Sequence, residues 1–244
     1  MPSKGSPRAR RPASETWLQR AERIADAYGL VLVLILTTFV VTVTLPPEGW
    51  IGRVLASVVT GATAVVALTS SDVRLGRIRL AVLAAGLAVV STALARLFAK
   101  DALIGIAFLL DSFLLTIAAL TILRRVVGAA EVDFRTILGA ISVFTLLGLL
   151  FGYLFLALGR LVGGDVFTGL AHAAPRDYLF FSYTTLTTTG YGNLVPAGQI
   201  GQILAVLEML TGQVFLVTLV AGLVSLWRPG GRGRAAPETD ERSD

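Results

Sequence analysis

The sequence predicts an all-α membrane protein with six transmembrane helices and one re-entrant half-helix. Hydrophobic residues make up 55% of the 244 residues and charged residues only 15%, whereas soluble domains average roughly 25% charged residues. The charges are grouped between long apolar runs. This grouping is typical of a polytopic membrane protein rather than of a soluble core.

The first elements are a basic tail, residues 1–23, and six apolar runs. The first run is long and lacks a small-residue cleavage site after it, which argues against a cleavable signal peptide. Each run has about 18 residues or more, enough to cross a bilayer core of roughly 30 Å at about 1.5 Å per residue. The runs cover residues 27–45, 51–68, 80–98, 102–123, 136–158 and 198–227. The polar remainder, residues 229–244, predicts a disordered cytoplasmic tail.

The segment between the fifth and sixth runs, residues 159–197, is too polar and too glycine-rich to span a membrane. It contains one short apolar and aromatic stretch at residues 178–186. A half-helix that enters the membrane and returns is the natural interpretation. Such backbone is tolerated at membrane depth only where protein or a water-filled cavity surrounds it.

The distribution of basic residues predicts the orientation. With the N-terminus cytoplasmic, 16 of the 21 lysines and arginines lie on the inner side and five on the outer side. This positive-inside bias predicts a multi-pass cell-membrane protein with both termini in the cytoplasm. The net charge of +5 then needs no nucleic-acid partner, and anionic lipids at the inner face are candidate contacts.

The chain has no cysteine and one histidine, His172. Disulfides and thiolate metal sites are therefore excluded, and a histidine-cluster metal site or a Ser-His-Asp triad has too few residues. We expect no enzymatic activity and no cofactor. His172 itself is interpreted as an ordinary exposed residue of the outer loop.

The re-entrant segment carries the most specific motif. Residues 184–193 read TTLTTTGYGN, which resembles the T-V-G-Y-G-D selectivity filter of potassium channels, preceded by a threonine-rich pore helix. The resemblance covers about residues 176–227, and the layout is similar to that of the bacterial six-helix members of the two-helix-pore ion channel family. A G-Y-G sequence alone could be a tight turn. Its place after a threonine-rich half-helix and between two apolar helices argues against that.

The resemblance implies how an ion would be bound. Potassium must lose its water, and rings of backbone carbonyls offset that loss. The potassium ligands would be the carbonyls of Thr188, Thr189, Gly190 and Tyr191, with the Thr188 hydroxyl. Gly190 and Gly192 stand where the backbone needs angles that other residues avoid. A closed ring requires four chains, so the resemblance implies a homotetramer.

The same resemblance assigns supporting roles. Filter support would come from Thr184, Thr185, Thr187, Asn193 and Glu208. The half-helix, about residues 176–187, would direct its negative C-terminal end at the cavity. Pro175 and Asp177 suit its start. Residues 128–228 would form the pore domain and residues 24–127 a four-helix membrane domain. The fourth run contains no basic residue, so voltage sensing is not expected.

Several positions depart from the family pattern. Thr189 stands where valine is usual and Asn193 where aspartate is usual. Thr184 occupies a position that carries glutamate in some relatives. Phe180 and Phe181 lie where tryptophan is common, and they have no hydrogen-bond donor to brace the filter. A weakly selective monovalent cation channel is therefore an alternative to a potassium-selective one.

Three residues outside the filter have two interpretations each. Asp111, in the middle of the fourth run, is a candidate proton or ligand sensor, or a carboxyl satisfied by hydroxyls of Thr37, Thr38 or Thr42. Glu208 braces the filter from behind through pore-helix threonines, or lines the cavity and concentrates cations. Gly212 is a candidate gating hinge or a point of close helix packing.

These observations predict a passive, homotetrameric potassium channel that is not voltage-gated. One rival is a proton-coupled transporter that uses Asp111 and Glu208, although no inverted repeat is visible. Another rival is a non-conducting subunit of other channels. The sequence does not identify the gating stimulus.

Overall fold

The structure is a computed structural model that describes residues 13–44, 50–69, 75–98, 101–128, 134–163 and 165–226. This part of the chain contains seven α-helices. They are α1 (Ala13–Thr44), α2 (Trp50–Thr69), α3 (Leu75–Phe98), α4 (Asp101–Val127), α5 (Phe134–Leu161), α6 (Pro175–Leu186) and α7 (Gln199–Leu226). The predicted tail at 229–244 lies outside the described residues, as does the start of the predicted basic tail. That tail's remainder, from Ala13, is already helical.

Among the described residues, four helices are long and apolar enough to cross a membrane. These segments are Ile51–Thr69, Asp101–Val127, Thr136–Leu161 and Gln199–Gly222. Two shorter apolar segments, Gly29–Thr44 and Ala81–Leu94, lie within α1 and α3. All six predicted runs thus fall on helices, and the count of six membrane crossings stays a prediction.

The first four helices pack as a bundle that continues into the last three. α2 contacts α1, α3 and α4, and the most extensive contact between any two helices joins α4 to α5. One hydrophobic core runs through both halves, from Val31 of α1 to Ala205 of α7. At one end, Arg160 of α5 pairs with Asp101 of α4 at 3.3 Å. The predicted four-helix and pore domains therefore share a continuous interface.

Hydroxyl side chains inside these apolar helices bond to their own backbone. Thr38 donates to the carbonyl of Leu34 at 2.9 Å and Ser142 to that of Leu138 at 2.8 Å. A bond to the carbonyl four residues earlier satisfies the hydroxyl without help from water. Serine and threonine can therefore be frequent here without interrupting the helices.

Two glycines on α5 form the surface against which α6 packs. A side-chain carbon at Gly148 would collide with the ring of Tyr183, and one at Gly152 would lie 2.5 Å from the Leu179 side chain. Two glycines four residues apart let helices approach closely in a membrane. This approach fixes the position of α6 and of the loop that follows it.

Candidate functional site

The N-terminal end of α6 is built as the sequence predicts. The helix covers Pro175–Leu186, within one residue of the predicted 176–187, with Pro175 in its first turn. The backbone N–H of Ala174 donates to the Asp177 carboxylate at 2.8 Å. Asp177 thereby satisfies a donor at the helix start, where a negative charge is also favoured.

The C-terminal end of α6 leads through a Schellman motif into residues 187–193, the filter-like loop. The N–H of Thr188 donates to the carbonyl of Thr185 at 3.0 Å, and the N–H of Thr189 to that of Thr184 at 2.8 Å. These are the two bonds that define the motif. The N–H of Gly190 also donates to Thr184, at 3.0 Å. Three successive amides of the loop are therefore tied to the helix end.

Thr188 occupies the left-handed position of this motif. Its φ is 58°, and His172 is the only other non-glycine residue with a positive φ among those described. Glycine is usual at this position, and a β-branched residue there is an outlier. The local fold therefore does not explain a threonine at position 188.

The carbonyls of residues 188–191 accept no hydrogen bond from any described residue. Within the described part of the chain, no hydrogen bond ends on the carbonyl of Thr188, Thr189, Gly190 or Tyr191. Residues 187–193 are all exposed, and Gly190 and Gly192 have φ of 50° and 78°. The loop thus presents backbone oxygens that accept no hydrogen bond from the described residues.

The side chains around the loop hold it against α6. Thr187 donates to the carbonyl of Tyr183 at 2.7 Å, and its hydroxyl lies 2.9 Å from that of Thr189. The Tyr191 ring stacks on Phe180, with centroids 5.8 Å apart and planes 11° from parallel. Phe180 therefore supports the loop by stacking rather than by the hydrogen bond that it cannot make.

The remaining threonines and Asn193 have different surroundings. Thr184 donates to the carbonyl of Phe181 at 3.0 Å. The Thr185 side chain is buried, whereas Asn193 is exposed.

The segment before α6 packs over the start of that helix. Thr168 donates its N–H to Val195 at 2.8 Å and Ala197 to Val166 at 2.9 Å, which joins the segment before α6 to the one after the filter-like loop. Phe167 between them is fully buried against Tyr178 and Phe181. Burial raises the pKa of the Tyr178 hydroxyl above its ordinary value.

Glu208 of α7 lies behind α6 and is fully buried. Its Oε1 contacts the hydroxyl of Ser182, which also donates to the carbonyl of Gly148 at 2.8 Å. The three residues connect α7, α6 and α5. The partner is a serine and not one of the threonines expected from the sequence. Ser182 was missed, although a lone polar residue inside an apolar and aromatic stretch could have indicated it.

Gly212 lies where α7 passes the end of α6. A side-chain carbon there would collide with the carbonyl oxygen of Leu186 and lie 3.0 Å from its Cδ1 atom. Of the two interpretations from sequence, the contact itself shows close packing. α7 continues as a helix through this residue.

Asp111 lies away from the loop, between α2 and α5. It is 2% exposed, and the hydroxyl of Ser57 donates to its Oδ2 at 2.7 Å. Its Oδ1 has no hydrogen-bond partner among the residues that the structure describes. The expected threonines of α1 are occupied elsewhere, since Thr37, Thr38 and Thr42 all donate to carbonyls of their own helix. Thr42 is also 3.3 Å from the hydroxyl of Tyr153 on α5.

A comparison with known protein families matches the part of the chain that contains this site. A family model described as "Ion channel" matches residues 140–228, which contain nearly all of α5, all of α6, the loop and α7. These residues lie inside the predicted pore domain. The match supports an ion channel.

Two curated relatives are potassium channels. The chain is 40% identical over 60 residues to the inward rectifier potassium channel Kirbac3.1 of Paramagnetospirillum magnetotacticum, which is 25% of this chain and 20% of that protein. It is 45% identical over 49 residues to a voltage-gated potassium channel of Aeropyrum pernix, 20% of this chain and 16% of that protein. The matched segments thus span one fifth or less of either relative. No solved structure matches the chain.

Proposed function

We propose that this chain forms a passive, homotetrameric potassium-selective channel in the cell membrane. The observation that carries the proposal is the loop after α6, whose amides are tied to the helix end while its carbonyls accept no hydrogen bond within the described chain. A backbone held in this way can offer several oxygens to a cation that has lost its water.

Each part of the loop has a role in this mechanism. The carbonyls of Thr188, Thr189, Gly190 and Tyr191 replace water around the ion, and the Thr188 hydroxyl adds a ring at the inner end. The C-terminal end of α6 carries a partial negative charge, which favours a cation in the cavity below. The ion moves down its gradient, and no covalent step is needed.

The exposed surface of α7 supports assembly from four chains. Only 17% of the most apolar stretch of α7 is buried within the chain, compared with 44% to 67% for the corresponding stretches of the other three long apolar helices. A single loop also supplies only one side of any ring of oxygens. Association of four copies would cover part of this face of α7 and bring four loops to one axis.

The packing behind the loop favours strong selectivity over the weakly selective alternative. The Thr187–Thr189 hydroxyl contact, the Phe180–Tyr191 stack and the Glu208–Ser182 contact all restrict the loop. A rigid loop keeps its oxygens at fixed distances, which penalises an ion of another size. The buried Glu208 acts in this scheme as a brace and not as a cavity carboxylate.

The sensing role of Asp111 stays a separate proposal. Its hydrogen bond to α2 and its position close to Tyr153 of α5 place it between the four-helix domain and the outer helix of the pore. A change at this carboxyl could therefore be transmitted to α5.

Purified protein reconstituted in liposomes tests the function. We expect potassium flux without a proton gradient, and a reversal potential that follows the potassium gradient when sodium replaces potassium on one side. A reversal potential near zero would favour the weakly selective channel. Saturable flux that requires a proton gradient would favour a transporter, and absence of flux would favour a non-conducting subunit.

A further inference from the structure

A cluster of side-chain oxygens lies where α1, α2, α4 and α5 meet, away from the filter-like loop. Asp111 of α4 accepts a hydrogen bond from Ser57 of α2 at 2.7 Å. Thr60 follows Ser57 by three residues, on the same face of α2. Thr60 and Asp111 both lie beside the hydroxyl of Tyr153 of α5. These four residues and Thr42 of α1 form the Asp111 cluster, and all except Thr42 are 3% exposed or less.

The hydrogen bonds of the Asp111 cluster show where most of its protons are. Thr42 donates its proton to the carbonyl of Thr38 at 2.8 Å. The hydroxyls of Thr42 and Tyr153 lie 3.3 Å apart, so Tyr153 is the donor between them. Ser57 donates its proton to Oδ2 of Asp111. The oxygens of Tyr153 and Ser57 therefore keep lone pairs but have no further proton to donate.

Two polar atoms of the Asp111 cluster have no hydrogen-bond partner among the described residues. They are Oδ1 of Asp111 and Oγ1 of Thr60. Buried polar groups are normally paired, and a buried carboxylate without a counter-charge is costly. Among the described side chains, the one that acts on the charge of Asp111 is Ser57, which is neutral. The carboxylate therefore requires a positive charge that the described residues do not supply.

The surplus of acceptor oxygens suits a metal cation. A water molecule could bond to Oδ1 of Asp111 but would bring no charge, and a proton on Oδ1 could bond to only one of the neighbouring oxygens. A hard cation is coordinated by carboxylate and hydroxyl oxygens together. One carboxylate balances one positive charge, whereas a divalent ion would leave the buried site charged.

The carboxylate also favours sodium over potassium. Ion selectivity depends on the field strength of the coordinating oxygens. A carboxylate has a stronger field than the backbone carbonyls of the filter-like loop, and a strong field favours the smaller ion. The two proposed sites of the chain therefore differ in the ion that they prefer.

We propose that the Asp111 cluster binds one sodium ion. Its ligands would be Oδ1 of Asp111 and the hydroxyl oxygens of Thr60 and Tyr153, while Ser57 keeps its bond to Oδ2. The ion would join α2 and α4 to α5, the helix on which α6 packs. It is the ligand for the sensing role proposed above for Asp111. The inference requires neither ion conduction nor a tetramer, so it can fail while the proposed channel function holds.

Thermal unfolding of the detergent-purified full chain tests the site. Sodium replaces N-methyl-D-glucamine at constant potassium concentration and constant ionic strength, so that potassium at the filter-like loop stays unchanged. We expect the melting temperature of the parent to rise by roughly 3–6 °C at a tenfold excess of sodium over its dissociation constant. Asp111→Asn should abolish this rise, because an amide has no charge to balance the ion.

A matched pair of variants on α2 tests the hydroxyl ligand. Thr60 and Thr63 are both buried, but Thr63 donates to the carbonyl of Val59 at 2.8 Å and is not part of the Asp111 cluster. Thr60→Val should raise the sodium concentration of half-maximal effect about fivefold, as expected for the loss of one polar contact. Thr63→Val should match the parent. This pair keeps the proposal testable if Asp111→Asn does not fold.

Sodium at the filter-like loop is the competing explanation. Thr188→Gly changes that loop and leaves the Asp111 cluster intact, so its melting temperature should still rise with sodium. Loss of the rise in Thr188→Gly would place the ion in the loop and overturn the proposal. So would an unresponsive parent, or equal responses in the parent and Asp111→Asn or in Thr60→Val and Thr63→Val. A parent that responds to pH through Asp111 but not to sodium would show that a proton alone neutralises the carboxylate, which would also refute the sodium site.

Discussion

Replacement of Thr188 distinguishes its effect on protein stability from its proposed effect on ion selectivity. Thr188 has a φ of 58°, a conformation that costs a residue other than glycine roughly 1–2 kcal/mol. Thr188→Gly removes that cost but adds roughly 0.5–1 kcal/mol of chain entropy in the unfolded state. The net effect on stability should therefore lie between neutral and about 1.5 kcal/mol stabilising.

The ion site should respond in the opposite direction. Thr188→Gly removes four hydroxyls from the proposed tetramer, so we expect the preference for potassium over sodium to fall although the protein is no less stable. Thr188→Ser is the matched control, because it retains the hydroxyl and should retain selectivity. Thermal unfolding in detergent and reversal potentials under mixed potassium and sodium gradients measure the two effects. A glycine variant as selective as the parent would refute the hydroxyl's role, and a strongly destabilised one would refute the Schellman assignment.

Four further substitutions test contacts outside the loop. Gly212→Ala should impair conduction, because the added Cβ would collide with the Leu186 carbonyl. Gly86→Ala is the control and should conduct normally, because no described neighbouring atom lies within 4 Å of a Cβ added there. Equal conduction in both variants would argue against close packing at position 212. Glu208→Gln should leave single-channel conductance nearly unchanged, since the side chain is buried behind α6, and a large fall in conductance would instead indicate a cavity ring. Ser182→Ala should destabilise the protein by about 1–3 kcal/mol in thermal unfolding, because a buried acceptor loses its donor, and an unchanged melting temperature would contradict that role. Asp111→Asn should flatten the dependence of flux on pH if the carboxyl is a sensor, and identical pH profiles for variant and parent would end that interpretation.

The helices were predictable because their signals are local. Long apolar runs locate all six predicted spans on helices, and Pro175 with Asp177 fixed the start of α6 to within one residue. The boundaries were less predictable where propensity extends a helix past its apolar run. α1 begins at Ala13, because residues such as Leu18, Gln19 and Arg20 favour a helix although they precede the apolar run.

The contacts between helices were not predictable from sequence. As the alternative to a sensor, Asp111 was predicted to be satisfied by hydroxyls such as those of Thr37, Thr38 or Thr42. Its partner is Ser57 of α2, because the rotation of a helix decides which hydroxyl reaches a buried carboxyl. Glu208 likewise contacts Ser182 rather than a threonine. The sequence located both carboxylates within apolar runs but contained no signal for the packing angle that selects their partners.

The conformation of the filter-like loop was likewise only partly predictable. The GYG sequence indicated where glycines relieve the backbone, and both have a positive φ. The left-handed conformation of Thr188 was not foreseen, since a β-branched residue is the last that propensity would place there. It became visible only from the hydrogen bonds that return to Thr184 and Thr185.

Direct observation of bound ions is the most decisive test of the channel mechanism. Crystals of the assembled protein grown with rubidium in place of potassium would reveal the ions by anomalous scattering. We predict a row of peaks on a fourfold axis, between the carbonyls of residues 188–191 from four chains. Loops that do not face a common axis, or a fourfold assembly without peaks between these carbonyls, would contradict the account.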